Sequence, residues 1–154
     1  MSVAFRRESD EEHKEPKFEL PIPPGPNLVT ARGLALIEAK LRELDERIAA
    51  GGEEGEIAAL KRDQRYWATR QATAELAPAP DGEQVAFGTR VTYRLGGQRK
   101  TIDIVGDDEA DPANGSISFS APLARAMIGA FAGEKVDFGG TVDAIEIVGI
   151  EVLG

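Results

Sequence analysis

Apolar residues recur at intervals of three and four positions between residues 34 and 48. They are Leu34, Ile37, Leu41, Leu44 and Ile48. This is the a/d seam of a coiled coil, which is narrower than the apolar stripe of a typical globular helix and requires one partner helix. Thr30 precedes the seam and is predicted to be its N-cap, because its hydroxyl can accept hydrogen bonds from the first turn. Gly51 and Gly52 can adopt the left-handed backbone that closes a helix.

A second helical stretch begins near residues 53–56 and supplies the partner. Its apolar residues Ile57, Leu60, Trp67 and Ala74 continue a seven-residue pattern. Gln64 and Gln71 occupy intervening seam positions, where they would fix the register at some cost in stability. Residues 29–77 are therefore predicted to form an antiparallel coiled-coil hairpin with its tip at 51–56. With arms of about twenty residues, the hairpin would reach roughly 30 Å.

The Pro-Ala-Pro-Asp-Gly segment at 78–82 breaks the helical pattern and marks a domain boundary. Short runs typical of β-strands follow it, separated by Gly-Gly, Asp-Pro and Asn-Gly turns. They are 84–87, 90–95, 100–105, 116–120, 135–138 and 144–152. A helix is predicted over 121–129, with Pro122 in its first turn and Gly129 closing it. We therefore predict an α+β fold in which residues 83–154 form an antiparallel sheet with one short helix.

Residues 1–28 combine charged side chains with the sequence PIPPGP, a composition that buries little apolar surface, so we expect a flexible arm. The arm carries the only histidine, His13, which we interpret as a solvated residue. One histidine and no cysteine exclude multi-histidine metal sites, thiolate metal sites and disulfides. The first residues lack the apolar core of a signal peptide, and we expect a cytoplasmic protein.

The net charge of −9 argues against broad electrostatic attachment to nucleic acid. Residues 30–77, however, are nearly balanced, with nine acidic and eight basic side chains. Four of these bases, on the second helix, are our candidates for contact with RNA or with an acidic protein wall. They are Lys61, Arg62, Arg65 and Arg70. The alternative is a solvated coiled-coil face, with the neighbouring Trp67 packed in the seam.

Three segments together resemble the GreA/GreB family of transcript-cleavage factors. These are Val85-Ala-Phe-Gly-Thr-Arg-Val-Thr, Ile104-Val-Gly-Asp-Asp-Glu-Ala-Asp-Pro112, and Gly115-Ser-Ile-Ser followed by Ala121-Pro-Leu-Ala-Arg-Ala-Met-Ile-Gly129. The resemblance implies an FKBP-like C-terminal domain that grips bacterial RNA polymerase at its secondary channel while the hairpin enters the channel. It also implies a monomer without a cofactor of its own, which meets RNA or DNA only within the elongation complex.

The tip of the hairpin carries acidic residues at the two positions where the family has them. In the family these acids help to hold Mg²⁺ beside carboxylates of the polymerase, which promotes hydrolysis of backtracked RNA. Glu53 and Glu56 match these positions, and carboxylates are ligands that Mg²⁺ accepts. They are also favourable in a first helical turn without any metal. This chain departs from the family in three ways that bear on cleavage. It has Glu53 where the family has aspartate, Ile57 where the family has asparagine, and shorter helical arms.

The resemblance further implies which residues contact the polymerase. Pro122, Leu123 and Arg125 match a family segment that contributes to polymerase binding, although Leu123 is equally compatible with the core. Asp108 and Glu109 belong to the matching acidic loop, for which we expect a polymerase-facing or solvated turn. A calcium loop is the alternative there, but the glycine and the distal glutamate of an EF-hand are missing. The family's serine before the proline is replaced by Ala121.

Three other functions remain open from the sequence. The first is a short-hairpin regulator that binds polymerase without stimulating cleavage and competes with longer factors. The second is a peptidyl-prolyl isomerase, suggested by the implied fold alone, which is weak support for chemistry. The third is a coiled-coil adaptor that does not bind polymerase.

Overall fold

The computed structural model describes residues 19–154. They divide into two compact units, one formed by residues 19–24 and 38–72 and the other by residues 25–37 and 73–154. The last ten residues of the predicted arm, 19–28, are shared between the two units. Its remaining residues, including His13, lie outside the described part of the chain. Within the described part, no helix is long and apolar enough to span a membrane.

The predicted hairpin is present as two helices of equal length, α1 (Ala31–Ala50) and α2 (Glu54–Thr73), each of 20 residues. The first helix ends as predicted at Gly51, whose φ of 84° is left-handed and whose N–H donates to the carbonyl of Ile48. Leu44 and Leu60 are buried in the seam of the first unit. Gln64 donates a 2.7 Å hydrogen bond from α2 to Asp45 on α1, as expected of a residue that fixes the register.

The last part of the predicted seam is wrong by one position. Gln71 is exposed, whereas Arg70 is buried with 2% of its surface accessible. Ala74 follows the end of α2 rather than continuing it. The reason is that an α-helix with 3.6 residues per turn drifts away from a strict seven-residue repeat, so the predicted seam no longer matches the buried face near the end of the helix.

The chain enters and leaves the hairpin through a two-stranded parallel ribbon in the second unit. It consists of β1 (Leu28–Val29) and β2 (Glu75–Leu76). Asn27 adds a 3.1 Å side-chain hydrogen bond to Thr73. Gly106 allows the ribbon to pass closely, because a Cβ there would collide with the carbonyl oxygen of Leu28.

The rest of the second unit is a five-stranded sheet with the order β5-β4-β3-β7-β6. The strands are β3 (Thr89–Leu95), β4 (Gln98–Val105), β5 (Ser116–Ser118), β6 (Lys135–Phe138) and β7 (Thr141–Val152). Three pairings are antiparallel as predicted, but β4 and β5 are parallel, so the sheet is mixed. The expected strand at 84–87 is reduced to a single bridge between Gln84 and Phe131.

Buried and exposed side chains alternate along the strands, and the buried ones form the core of this unit. On β3, Val91 and Tyr93 point inward and are buried, while Arg90 and Arg94 point outward. The short helix α3 (Pro122–Met127) covers the sheet and buries Ala124 and Met127. The predicted fold class, a helical hairpin followed by a β-sheet domain with one short α-helix, is confirmed for the described residues.

Candidate functional site

The hairpin tip presents its acidic residues to solvent. Glu53, Glu54 and Glu56 are all exposed. The carbonyl of Glu53 accepts the first hydrogen bond of α2 from the N–H of Ile57, at 2.9 Å, so Glu53 occupies the N-cap position and Glu56 the third position of the helix. The tip therefore offers two carboxylates at the predicted spacing of three residues.

Glu56 bends back toward the start of its own helix. A Cβ placed on Gly52 would lie 2.5 Å from Oε1 of Glu56, which shows how closely this carboxylate approaches the backbone. A glutamate at the third helical position typically turns back in this way to cap the first turn. Ile57 is half-buried beside it. The arrangement fits the capping interpretation of Glu56.

Magnesium at the tip stays a prediction. Among residues 19–154, no group of three or more His, Cys, Asp or Glu side chains could hold a metal ion. The hard oxygen donors of Glu53 and Glu56 suit Mg²⁺, but two carboxylates fill only part of its octahedral shell. Their chemistry thus fits an ion whose other ligands come from a partner.

The four basic side chains predicted to contact RNA do not share one surface. Lys61 is exposed, and Arg62 is half-buried with its guanidinium 3.8 Å from Asp63. Arg65 forms a bidentate pair with Glu19, at 2.7 and 2.9 Å. Arg70 is buried, and its guanidinium carbon lies 6.0 Å from the centre of the Tyr66 ring.

Arg70 is therefore a correction to the predicted basic face. It lies five positions after Arg65, which at about 100° per residue places it more than a third of a turn around the helix. Tyr66 also packs edge-on against Trp67, with ring centroids 5.1 Å apart. Of the four predicted RNA contacts, Lys61 and Arg65 retain exposed side chains, and the pairing of Arg65 with Glu19 had no signal in the sequence.

The acidic loop after β4 is held by internal hydrogen bonds. Asp107 accepts from the hydroxyls of Ser118 and Ser120, and Asp111 accepts from the side-chain amide of Asn114. Asp108 is half-buried. These carboxylates are used as turn-forming acceptors, which agrees with the interpretation of this loop as a turn rather than as a calcium loop.

Glu109 is not available for docking, contrary to the prediction. Its side chain is only 5% exposed and accepts from the hydroxyl of Thr30 at 2.6 Å and from Nη1 of Arg32 at 3.3 Å. Thr30 is at the same time the predicted N-cap of α1, since its Oγ1 accepts from the N–H of Gly33 at 2.9 Å. Glu109 therefore anchors the first turn of α1.

The start of α3 carries the remaining docking candidates. Pro122 and Arg125 are exposed, while Leu123 is half-buried and packs against the core. Ala121 is the N-cap and makes no side-chain capping bond. Two large apolar side chains beyond this helix are also exposed, Ile128 at 41% and Phe131 at 43%. Their exposure could not be predicted from the sequence, because periodicity does not distinguish single exposed apolar residues from core residues.

A helical hairpin with an acidic tip, joined in sequence to a small β-sheet domain, defines the class of this protein. The family model described as "Transcription elongation factor, GreA/GreB, C-term" matches residues 79–152. The transcription elongation factor GreA of Vibrio cholerae is 37% identical over 108 residues, covering 66% of this chain and 69% of the relative. GreA of Pseudomonas putida is 34% identical over 138 residues, covering 88% of this chain and 84% of the relative. The chain belongs to the GreA/GreB family of transcription elongation factors.

The similarity to solved structures is weaker. The crystal structure of GreA factor homolog 1 from Thermus thermophilus covers 82% of this chain and 99% of its own, with 18% identity and a TM-score of 0.37. The membership of the chain in the family follows from its sequence relatives.

Proposed function

We propose that this protein regulates transcription elongation by binding bacterial RNA polymerase at its secondary channel. The C-terminal domain docks on the polymerase, and the hairpin enters the channel. The start of α3 carries this proposal, because Pro122 and Arg125 are exposed on a short helix whose opposite side is fixed in the core by Ala124 and Met127. A rigid, partly apolar and singly charged surface suits protein recognition.

The tip gives this regulator a means of stimulating RNA cleavage. Glu53 and Glu56 would complete, together with carboxylates of the polymerase, the oxygen shell of a Mg²⁺ ion that activates water against backtracked RNA. The reacting site belongs to the polymerase, so the chain acts as a stimulating factor and has no active site of its own.

A second function within the same class is favoured by two features of the tip. Glu56 is turned back toward Gly52, and the half-buried Ile57 cannot orient water or a metal ligand by hydrogen bonding. A tip of this kind would occupy the channel without supporting cleavage and would compete with longer family members. Proline isomerisation has no comparable support, since Tyr93, Phe119 and Phe138 are used in the core.

Co-migration of the purified chain with core RNA polymerase tests the binding. Arg125→Glu should weaken co-migration about tenfold or more, whereas Arg99→Glu, an equal charge change at an exposed position on β4, should leave it unchanged. Failure of the unaltered chain to co-migrate would favour the adaptor interpretation.

Cleavage of RNA in stalled complexes then separates the two polymerase-binding functions. If the tip acts through Mg²⁺, the double substitution Glu53→Ala and Glu56→Ala abolishes stimulation, while Glu54→Ala retains it. If the unaltered chain binds but gives no stimulation and slows cleavage by a longer family member, the competing function is correct.

A further inference from the structure

The segment at residues 19–22 packs on α2 within the first unit, and together they form the walls of an open groove. The groove has a volume of about 420 Å³ and is lined by Glu19, Leu20, Ile22, Arg65, Tyr66 and Thr69, together with Ala68. Both carboxylate oxygens of Glu19 accept from the guanidinium of Arg65, from Nε at 2.7 Å and from Nη2 at 2.9 Å. Two parallel bonds of this kind fix the direction of the bound segment as well as its position.

The segment resembles a bound peptide ligand in its chemistry. Its sequence over 19–24 is Glu-Leu-Pro-Ile-Pro-Pro, in which prolines hold the backbone extended and reduce the conformational entropy lost on binding. Extended proline-containing segments commonly dock on grooves lined by aromatic side chains, and here Tyr66 contributes an aromatic ring held edge-on by Trp67.

The segment is held loosely enough to be replaced. The side chains of Glu19 and Arg65 are 59% and 56% exposed, and Ile22 is 45% exposed. Among the described residues, the backbone of 19–24 makes no hydrogen bond to another backbone group. An exposed ion pair and two half-covered aliphatic side chains make a weak attachment.

We propose that the surface of α2 formed by Arg65, Tyr66 and Thr69 is a docking site for an extended segment of a partner protein. Such a segment has a carboxylate followed by aliphatic side chains spaced by proline, and residues 19–22 cover the surface as an internal competitor. Arg65 binds the carboxylate of Glu19, and the aliphatic side chains of the segment lie beside Tyr66. Because a carboxylate and aliphatic side chains belong to proteins, these contacts favour a protein segment over a nucleic acid. This proposal is independent of the function at the tip and at α3.

A peptide with the sequence Glu-Leu-Pro-Ile-Pro-Pro, capped at both ends, tests the site in the full-length chain. Binding is followed by NMR through the indole N–H of Trp67, the only tryptophan, and the amide signals of 65–69. In the unaltered chain the tethered segment, at an effective concentration of about millimolar, competes with the peptide. Glu19→Arg places two cations together and releases the segment, so the peptide should bind roughly fivefold or more tightly. Glu19→Gln should give a smaller gain in the same direction.

Matched substitutions and a changed peptide make the result specific. Arg65→Glu should abolish peptide binding, whereas Lys61→Glu, the same charge change one turn earlier and outside the groove, should not. The peptide with glutamine in place of glutamate should bind roughly fivefold or more weakly.

The proposal is overturned if the peptide binds the unaltered and Glu19→Arg chains equally, or if it does not bind the Glu19→Arg chain. It is also overturned if a short single-stranded RNA shifts the same signals at lower concentrations than the peptide, which would reassign the groove to nucleic acid.

Discussion

The hydroxyl of Thr30 donates a 2.6 Å hydrogen bond to Oε1 of Glu109, a residue 79 positions later in the chain. Oγ1 of Thr30 also accepts a hydrogen bond from the N–H of Gly33. The Thr30 hydroxyl therefore caps α1 and at the same time donates to a buried carboxylate. Gly33 contributes by having no side chain, since a Cβ there would lie 2.9 Å from Oε1 of Glu109. The beginning of α1 and the acidic loop are thus joined by one short network.

Thr30→Val should lower the free energy of unfolding by about 2–3 kcal/mol, because it removes a helix cap and leaves Glu109 short of one hydrogen bond. Urea denaturation followed by circular dichroism measures the change. Thr92→Val is the matched control, since Thr92 has an exposed 3.3 Å contact with Thr101, and should cost less than about 0.5 kcal/mol. Equal losses in the two variants would contradict the role of the Thr30 network.

Gly55→Ala should stabilise the hairpin by roughly 0.5–1 kcal/mol. Gly55 lies in the first turn of α2, where an added Cβ meets no atom within 4 Å, and alanine is the better helix former. Gly51→Ala should instead destabilise by about 1 kcal/mol, because φ at Gly51 is 84°. Thermal unfolding monitored at a helical wavelength distinguishes the two, and a gain in both variants would argue against the observed turn.

Ala121→Ser should stabilise α3 by about 0.5–1 kcal/mol, because Ala121 is an N-cap without a side-chain hydrogen bond and serine can supply one. Ala132→Ser, at an exposed position outside any helix, is the control and should have little effect. The comparison requires only the melting temperatures of the two variants. An unchanged melting temperature for Ala121→Ser would mean that the cap cannot form there.

Acidification should release the segment at residues 19–22 from α2. The hydrogen bond from Arg65 holds the pKa of Glu19 below its ordinary value, and the nearby charges of Arg65 and Arg62 act in the same direction. A carboxyl whose pKa is lowered in the folded state contributes stability above its ordinary pKa, and this contribution is lost as the pH falls through the folded-state pKa.

An NMR titration of Glu19 and of the Trp67 indole measures this release. Both signals should change together, at a pH below the ordinary pKa of glutamate. In Arg65→Gln, the pKa of Glu19 should return toward its ordinary value and the Trp67 signal should lose its response. A Trp67 response that is unchanged in Arg65→Gln would assign the transition to another group.

Features determined by nearby residues were predicted correctly from the sequence. The cap at Thr30 and the helix end at Gly51 depend on contacts within a few positions, and the strand at Lys135–Phe138 pairs with the strand that follows it. The hydrogen bond between Thr30 and Glu109 depends on the tertiary fold. From the local sequence alone, Thr30 is only a helix cap and Glu109 is only a solvated acidic residue.

The remaining errors have similar causes. Arg70 and Gln71 differ by one position, which a seven-residue count cannot resolve at the end of a helix. The parallel pairing of β4 with β5 follows from the path of the intervening loop, which residue preferences do not encode. At the candidate site, the helix start that carries Glu53 and Glu56 could be predicted from the glycines before it, whereas the contacts of Glu109, Arg65 and Arg70 depend on the tertiary fold.

The last strand of the sheet lies between two others, since β7 pairs with β3 on one side and with β6 on the other. During synthesis the helices of the hairpin can form from contacts close in sequence. Strand β3 can pair with β7, one of its two neighbours, only after residues 141–152 have been synthesised. The C-terminal domain should therefore complete its folding only after the hairpin, with one side of β3 exposed to unwanted pairing until then.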